Sequence, residues 1–190
     1  MSTWSWSYRL LKLRALGLLV LGRHRAAENV FDALLERWPT DAYGLSSRAH
    51  LRAEAGRTEL AIADAERLVE LYPDRSAAHW FNLAFMRDKA DRLPAAEEAF
   101  RRALAMQPGL DRAWYGLALT LIRLGRLDEA VTALRRNTEL QPMSPFGWYQ
   151  LARVHAKRSE PEKARKIIEH LHSFEPKVAA QLERETGLVA

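Results

Sequence analysis

Residues 114–142 read WYGLALTLIRLGRLDEAVTALRRNTELQP, two apolar segments separated by a glycine and closed by a proline. Leucine, alanine and isoleucine recur every three or four residues on both sides of Gly125, which is the spacing of an amphipathic helix. Glycine favours a turn, and Pro142 marks a helix stop because proline has no amide hydrogen to donate. The stretch therefore predicts a helical hairpin.

Proline recurs along the chain at the period of this hairpin. Five of the eight prolines are spaced 34 or 35 residues apart: Pro39, Pro73, Pro108, Pro142 and Pro176. With each proline at position 32, the repeats are 8–41, 42–76, 77–110, 111–144 and 145–178. A fixed period of this length indicates stacked hairpins, each burying the face of its neighbour. We expect one domain over 1–190, with a capping helix at about 177–187 in which Val178 and Leu182 cover the last repeat.

Other columns of the repeat keep the same phase. Positions 8 and 20 are alanine in every repeat, and position 4 is bulky in every repeat: Leu11, Leu45, Trp80, Trp114 and Trp148. Large residues beside small ones indicate interdigitated packing between helices. Position 15 holds residues that favour turns: Gly22, Gly56, Asp91, Gly125 and Ser159. The segment 159–162 also predicts a capping box at the start of a helix.

The stretch 114–142 resembles a tetratricopeptide repeat almost column for column, and the resemblance extends over residues 8–178. It implies an all-α, right-handed superhelical solenoid of five helix-turn-helix repeats with a C-terminal capping helix. It also implies that the first helices line a concave groove, and that this groove holds an extended peptide or a partner's helix. The chain would then be a protein-binding scaffold or adaptor.

The groove positions of the family give a predicted peptide-binding surface, weighted towards repeats three to five. Its residues are Phe81, Asn82, Phe85, Lys89, Arg112, Tyr115, Arg123, Phe146, Tyr149, Gln150, Arg153 and Lys157. Aromatic rings and arginine dominate binding hot spots, so this surface suits a partner with apolar anchors and carboxylates. The alternative is that the aromatics fill gaps between first helices and that the cations only face solvent.

Some positions depart from the family pattern. Arg14 and Arg48 stand where the later repeats have leucine, which groups repeats one and two as a subtype. Three residues replace the usual aromatic at position 11, namely Arg52, Arg87 and His155, and Asn137 replaces a small or apolar residue. We interpret these as packing variants whose long stems cover apolar surface.

Composition and motifs argue against an enzyme. The chain has no cysteine, which excludes disulfides, thiolate metal sites and cysteine nucleophiles. Its six histidines have no helical pairing with a carboxylate that would form a metal site, and no phosphate-binding glycine loop or nucleophile motif is present. We therefore predict no enzymatic activity, no metal and no cofactor.

The formal net charge of +5 and the pI of about 9.7 favour acidic partners. Single-stranded nucleic acid is the alternative ligand, because a basic groove with aromatic rings also suits stacked bases. A further alternative is self-assembly through an exposed N-terminal end that contains Trp4 and Trp6. Residues 10–21 are interpreted as an amphipathic helix, no apolar run is long enough to span a membrane, and a cytoplasmic location is expected by default.

Overall fold

The computed structural model describes the backbone of residues 3–189 and the side chains of residues 6–189. Over this range the chain forms eleven α-helices and no strand, which confirms the predicted all-α class. The helices are α1 (Thr3–Val20), α2 (His24–Arg37), α3 (Ala42–Glu54), α4 (Thr58–Leu71), α5 (Ala77–Lys89), α6 (Leu93–Met106), α7 (Asp111–Arg123), α8 (Leu127–Leu140), α9 (Pro145–Lys157), α10 (Pro161–His172) and α11 (Pro176–Thr186).

The helices group into two compact units, one that extends to Arg92 and one that starts at Leu93. In the first unit, α1 packs on α2, and α3 packs on both α2 and α4. In the second unit, α7 packs on α8, and α9 packs on both α8 and α10. The predicted repeat 77–110 contributes α5 to the first unit and α6 to the second. Successive helices thus form the predicted hairpins within each unit.

The turn column is confirmed at all five positions. Its three glycines have φ angles of 67° to 77°, while Asp91 and Ser159 have φ angles of 60° and 59°. This left-handed conformation reverses the chain between the two helices of a hairpin, and side chains other than glycine rarely adopt it. The expected capping box at 159–162 is wrong, because Ser159 occupies this turn and no side chain caps the helix that follows.

Small residues allow the helices to approach closely. The alanines at position 20 are all fully buried, and those at position 8 are at most 3% exposed. A Cβ atom added to Gly116 of α7 would lie 2.5 Å from Cζ of Phe100 on α6. Any larger residue at that position would push the two helices apart. The alternation of small and large columns therefore sets the spacing of the helices.

The tryptophan and proline columns are joined by hydrogen bonds. The indole N–H groups of the three position-4 tryptophans each donate to the carbonyl oxygen of the preceding repeat's proline, at 2.7 Å for Trp80 and at 2.8 Å for both Trp114 and Trp148. Leu45 has no such donor. In the first unit, Tyr72 instead donates to the carbonyl oxygen of Thr40, at 2.7 Å. Each bond ties a helix or its end to the loop that connects two repeats.

Arg48 is a member of a charged layer rather than a stem that covers apolar surface. This layer consists of Glu28 and Asp32 on α2, Arg48 and Arg52 on α3, Arg57 before α4, and Asp64 on α4. Arg48 donates to Asp64 through two nitrogens, at 2.6 and 2.9 Å, and to Asp32 at 2.9 Å. The Arg48 side chain is 17% exposed and that of Asp64 only 6%. Arg14 is exposed, so the two arginines do not define one subtype.

The arginines of the charged layer lower the pKa of Glu28. Burial alone would raise the pKa of Glu28, but hydrogen bonds from Arg57 and Arg52 outweigh burial and lower this pKa. Arg52 also donates to Asp64, at 2.8 Å. The interpretation of Arg48 and Arg52 as packing variants is therefore wrong, because their guanidinium groups are paired with carboxylates inside the hairpin interface.

Other departures from the family pattern are also satisfied by polar partners. Arg87 forms an ion pair with Glu66 at 2.9 Å, and Asn137 donates to the carbonyl oxygen of Asp111 at 3.0 Å. His155 is buried, and its Nδ1 atom lies 2.6 Å from an oxygen of Glu160. Hydrogen bonds from His155 and Lys163 lower the pKa of Glu160 to about 2. Position 11 thus accepts charged residues where a carboxylate is within reach.

The last helix covers the final repeat. Helix α11 packs on α9 and α10, with Ala179 and Leu182 fully buried and Val178 half-buried. This confirms the predicted capping helix, although it begins at Pro176 and ends at Thr186.

Candidate functional site

Helix α9 brings together three of the predicted binding residues. Tyr149, Arg153 and Lys157 follow one another at four-residue intervals and share one side of the helix. The Arg153 guanidinium lies 5.5 Å from the centre of the Tyr149 ring, within the range of a cation–π contact. With Glu185 and Thr186 of α11 they line an open cavity of about 640 Å³.

A carboxylate of the chain already occupies part of this cavity. The hydroxyl of Tyr149 donates to Glu185 at 2.7 Å, Gln181 donates to Glu185 at 2.7 Å, and Nε of Arg153 lies 3.8 Å from Glu185. Burial and the bond to Glu185 raise the pKa of Tyr149. The bonds from Tyr149 and Gln181 lower the pKa of Glu185. Tyr149 and Arg153 thus form a site that accepts a carboxylate.

Phe146 and Gln150 lie on the same side of α9 as this cavity. Phe146 is 67% exposed, whereas Gln150 is half-buried. An exposed ring next to a site for a carboxylate combines an apolar contact with a polar one. The side of α9 formed by these five residues is called the α9 face below.

The predicted residues of α7 also share one side of their helix. Tyr115 is half-buried, and Arg112 and Arg123 are exposed. Because α7 and α9 both pack on α8, these residues belong to the same unit as the α9 face.

The remaining predicted residues lie on α5 in the first unit. Phe85 is 51% exposed, and Nζ of Lys89 lies 5.5 Å from the centre of its ring. Phe81 is half-buried and Asn82 is exposed. This side of α5 repeats the combination of an aromatic ring and a cation that is found on α9.

An aromatic cluster in the first unit lies outside the twelve predicted binding residues. Nζ of Lys12 lies 4.0 Å from the centre of the Tyr43 ring, and Tyr8 donates to Asp41 at 2.7 Å. These residues line a cavity of about 300 Å³ together with Trp38, Thr40, Ala42, Tyr72 and Arg75. Burial and the bond to Asp41 raise the pKa of Tyr8 to about 12. The signal available in the sequence was the clustering of aromatics around the loop at 38–41.

Two further features of the described residues bear on function. Among residues 3–189, no helix has the length and apolar character that a membrane crossing requires. No group of three or more histidine, aspartate or glutamate side chains among residues 6–189 is placed to hold a metal ion.

Solved structures with the same fold include several repeat proteins. A tetratricopeptide repeat protein from Parabacteroides merdae superposes with a TM-score of 0.83 at 17% identity, covering 95% of this chain and 74% of that one. MamA from Desulfovibrio magneticus superposes with a TM-score of 0.80 at 17% identity, covering 94% and 96%. YrrB, described as having an unusual peptide-binding site, gives 0.80 at 18% identity, covering 90% and 88%. At these identities the likeness establishes the fold alone.

Family models identify the repeats directly. One tetratricopeptide repeat model matches residues 12–76 and 47–111, and a second matches residues 88–145. A search of curated proteins gives no match. The family matches cover more than half of the sequence and agree with the hairpins, the turn column and the alanine columns. The chain therefore belongs to the tetratricopeptide repeat family.

Proposed function

We propose that this protein is a non-enzymatic scaffold that binds a partner peptide or helix along its first helices. The observation that carries the proposal is the α9 face, where Tyr149 and Arg153 already hold a carboxylate beside an open cavity. An acidic side chain of the partner would take the place of Glu185, and an apolar anchor of the partner would contact Phe146. Family membership and the absence of a recognisable catalytic motif in the sequence agree with a binding role.

The α7 residues extend the proposed surface within the second unit, where Tyr115 would contact an apolar anchor of the partner and Arg112 and Arg123 would pair with its acids. In the first unit, Phe81 and Phe85 on α5 would offer apolar contacts of their own. Aromatic rings and arginines contribute most of the affinity at protein interfaces, since they offer large rigid contacts and several donors. We assign specificity to α9, because an acid of the partner must displace Glu185 from Tyr149 and Arg153 before it can bind there.

To test the proposal, the partner is first purified by its binding to the wild-type chain. Calorimetry then measures its affinity for the wild type and for each variant. Tyr149→Ala and Arg153→Ala should each weaken binding by about 1–3 kcal/mol. Glu185→Gln should strengthen binding, because it removes the carboxylate that competes for Tyr149 and Arg153. Arg136→Ala on α8 is the matched control: it removes one exposed cation of the same unit and should leave the affinity unchanged.

Circular dichroism would confirm that the variants are folded. Unchanged affinity in folded Tyr149→Ala and Arg153→Ala proteins would contradict the proposed surface. Weaker binding in Glu185→Gln would contradict the role of Glu185 as a competitor and would make it a contact residue.

Single-stranded nucleic acid is the less favoured ligand, and the distribution of charge is the reason. Five of the 29 lysines and arginines lie in residues 1–27, where there is no acid, so 24 cations and 24 acids share the rest of the chain. The α5, α7 and α9 residues therefore belong to an electrically balanced region. Tight binding of an oligonucleotide with a steep dependence on salt concentration would reverse this preference.

A further inference from the structure

The outer side of α1 carries an exposed apolar stripe. Trp6, Leu10, Leu13, Gly17 and Val20 follow one another at intervals of four, three, four and three residues, so they share one side of the helix. The four side chains are 59% to 80% exposed. The opposite side of α1 packs into the core through Leu11, Ala15, Leu18 and Leu19. Helix α1 is therefore apolar on both sides, and the side chains described in residues 6–189 cover only one of them. The Trp4 side chain lies outside the described residues.

The positions equivalent to Leu10 and Gly17 are buried under the preceding helix in α3 and α9. Leu10 and Gly17 stand at positions 3 and 10 of the repeat. In α3 these positions are Gly44 and Leu51, which are buried against α2: a Cβ on Gly44 would lie 2.8 Å from a methyl group of Leu34, and Leu51 packs with Phe31. In α9 they are Gly147 and Val154, also buried. Leu10 and Gly17 thus stand at positions that α3 and α9 use to pack against a helix, whereas Leu13 and Val20 stand at positions 6 and 13, which are not buried in those helices.

Gly17 also indicates that a helix can pack on this stripe. A Cβ atom added at Gly17 would have no atom within 4 Å, so the described residues around it give no packing reason for glycine. Glycine inside a helix lowers the stability of that helix relative to alanine. In the middle of an apolar stripe, it leaves a gap into which a neighbouring helix can bring a side chain or its own backbone.

The charge around the stripe selects the partner. Arg9 and Arg14 flank the stripe on α1, and all five cations of residues 1–27 (Arg9, Lys12, Arg14, Arg23 and Arg25) lie on or next to α1. A second α1 packed on this stripe would bring cations against cations, which opposes association. A helix with acidic flanks would pair with them.

We propose that the exposed stripe of α1 docks an amphipathic helix from a partner protein, with an apolar face against Leu10, Leu13 and Val20 and acidic residues towards Arg9 and Arg14. This surface is separate from the α9 face and does not depend on it. The protein would then bind one partner at the α9 face and another at α1.

The test uses three stapled 14-residue helical peptides with the same leucine stripe and with glutamate, glutamine or lysine flanks. Their affinities for the full-length chain are measured by fluorescence anisotropy. The glutamate peptide should bind best, and the lysine peptide at least about ten-fold more weakly. Leu13→Glu should abolish binding of the glutamate peptide, whereas the matched control Leu60→Glu, at another exposed leucine, should not. Gly17→Leu should block binding without lowering the melting temperature.

Four results would overturn the proposal. The first is equal affinity for all three peptides, and the second is binding that survives Leu13→Glu in a folded protein. The third is a dimer in sedimentation that Leu13→Glu dissociates, which would identify a second copy as the occupant. The fourth is binding to phosphatidylglycerol vesicles but not to the glutamate peptide, which would assign the stripe to a membrane surface.

Discussion

The hairpins α3–α4 and α7–α8 fill the same interior positions with different residues, charged in the first and apolar in the second. At position 7 the first has Arg48 and the second has Leu117, and at position 23 the first has Asp64 and the second has Ala133. All four side chains lie inside their hairpins, with Leu117 and Ala133 both 2% exposed. The repeat therefore determines that these positions are interior, but it does not determine whether their side chains are charged or apolar.

The two solutions differ in how their residues depend on each other. Leu117 and Ala133 contribute by burial, which is roughly additive in the apolar area removed from water. Arg48 and Asp64 are both costly to bury alone and are stable only as a pair. A charged layer is therefore coupled, whereas an apolar layer is additive.

The largest effect is expected when the charged layer loses Asp64, one of its two buried acids. Asp64→Ala removes the buried one of the two acids that Arg48 and Arg52 share and leaves them only the more exposed Asp32 in common, and we expect a loss of about 3–5 kcal/mol in the free energy of unfolding. Urea denaturation followed by circular dichroism measures it. Glu70→Ala, at an exposed acid on the same helix, is the control and should change stability by less than about 0.5 kcal/mol. A similarly small loss for Asp64→Ala would show that the layer is not coupled.

An intermediate effect is expected when the charged pair is replaced by the apolar pair. Arg48→Leu together with Asp64→Ala gives this hairpin the residues of α7–α8, and the double variant should lose less stability than the two single variants added together. We expect a coupling of about 0.5–3 kcal/mol from the double-mutant cycle in urea. Additive losses would mean that Arg48 and Asp64 act independently, and the contrast between the two hairpins would disappear.

The smallest effect is expected at the contact between His155, the position-11 residue of the last repeat, and Glu160. Because the pKa of Glu160 is about 2 in the folded protein and 4.5 ordinarily, its contribution to stability is complete above pH 4.5 and is lost as the pH falls towards 2. Glu160→Gln should remove this part of the acid sensitivity. Urea midpoints near pH 7, 4.5 and 3 measure it. Parallel pH dependence of the wild type and the variant would assign the sensitivity to other acids.

The repeat columns could be predicted because they depend on local chemistry. Proline stops, turn residues with positive φ and alanines at close contacts each follow from the backbone of one hairpin, and the structure contains all three. The charged layer could not be predicted this way, since Arg48 meets Asp32 and Asp64, each 16 residues away, on helices before and after its own. A search for acids at equal distances on both sides of an unusual arginine would have found it.

The candidate site was predicted in part. Reading the family's groove positions onto the sequence gave Tyr149, Arg153 and Lys157, which the structure brings to one cavity. It did not give Glu185, because this acid lies on the capping helix and outside the columns of the repeat. The bond between Tyr149 and Glu185 spans 36 residues and depends on how α11 packs against α9. The binding role of all twelve predicted residues remains a prediction.

The coupling in the charged layer also bears on how this sequence can drift over generations. An apolar layer such as Leu117 with Ala133 can change one residue at a time, with each step costing a moderate amount of stability. In the layer around Asp64 a single replacement disturbs several ion pairs at once, because Arg48 and Arg52 both pair with Asp32 and with Asp64. We therefore expect Arg48, Arg52 and Asp64 to be inherited together in descendants of this chain, and to disappear together where they are absent.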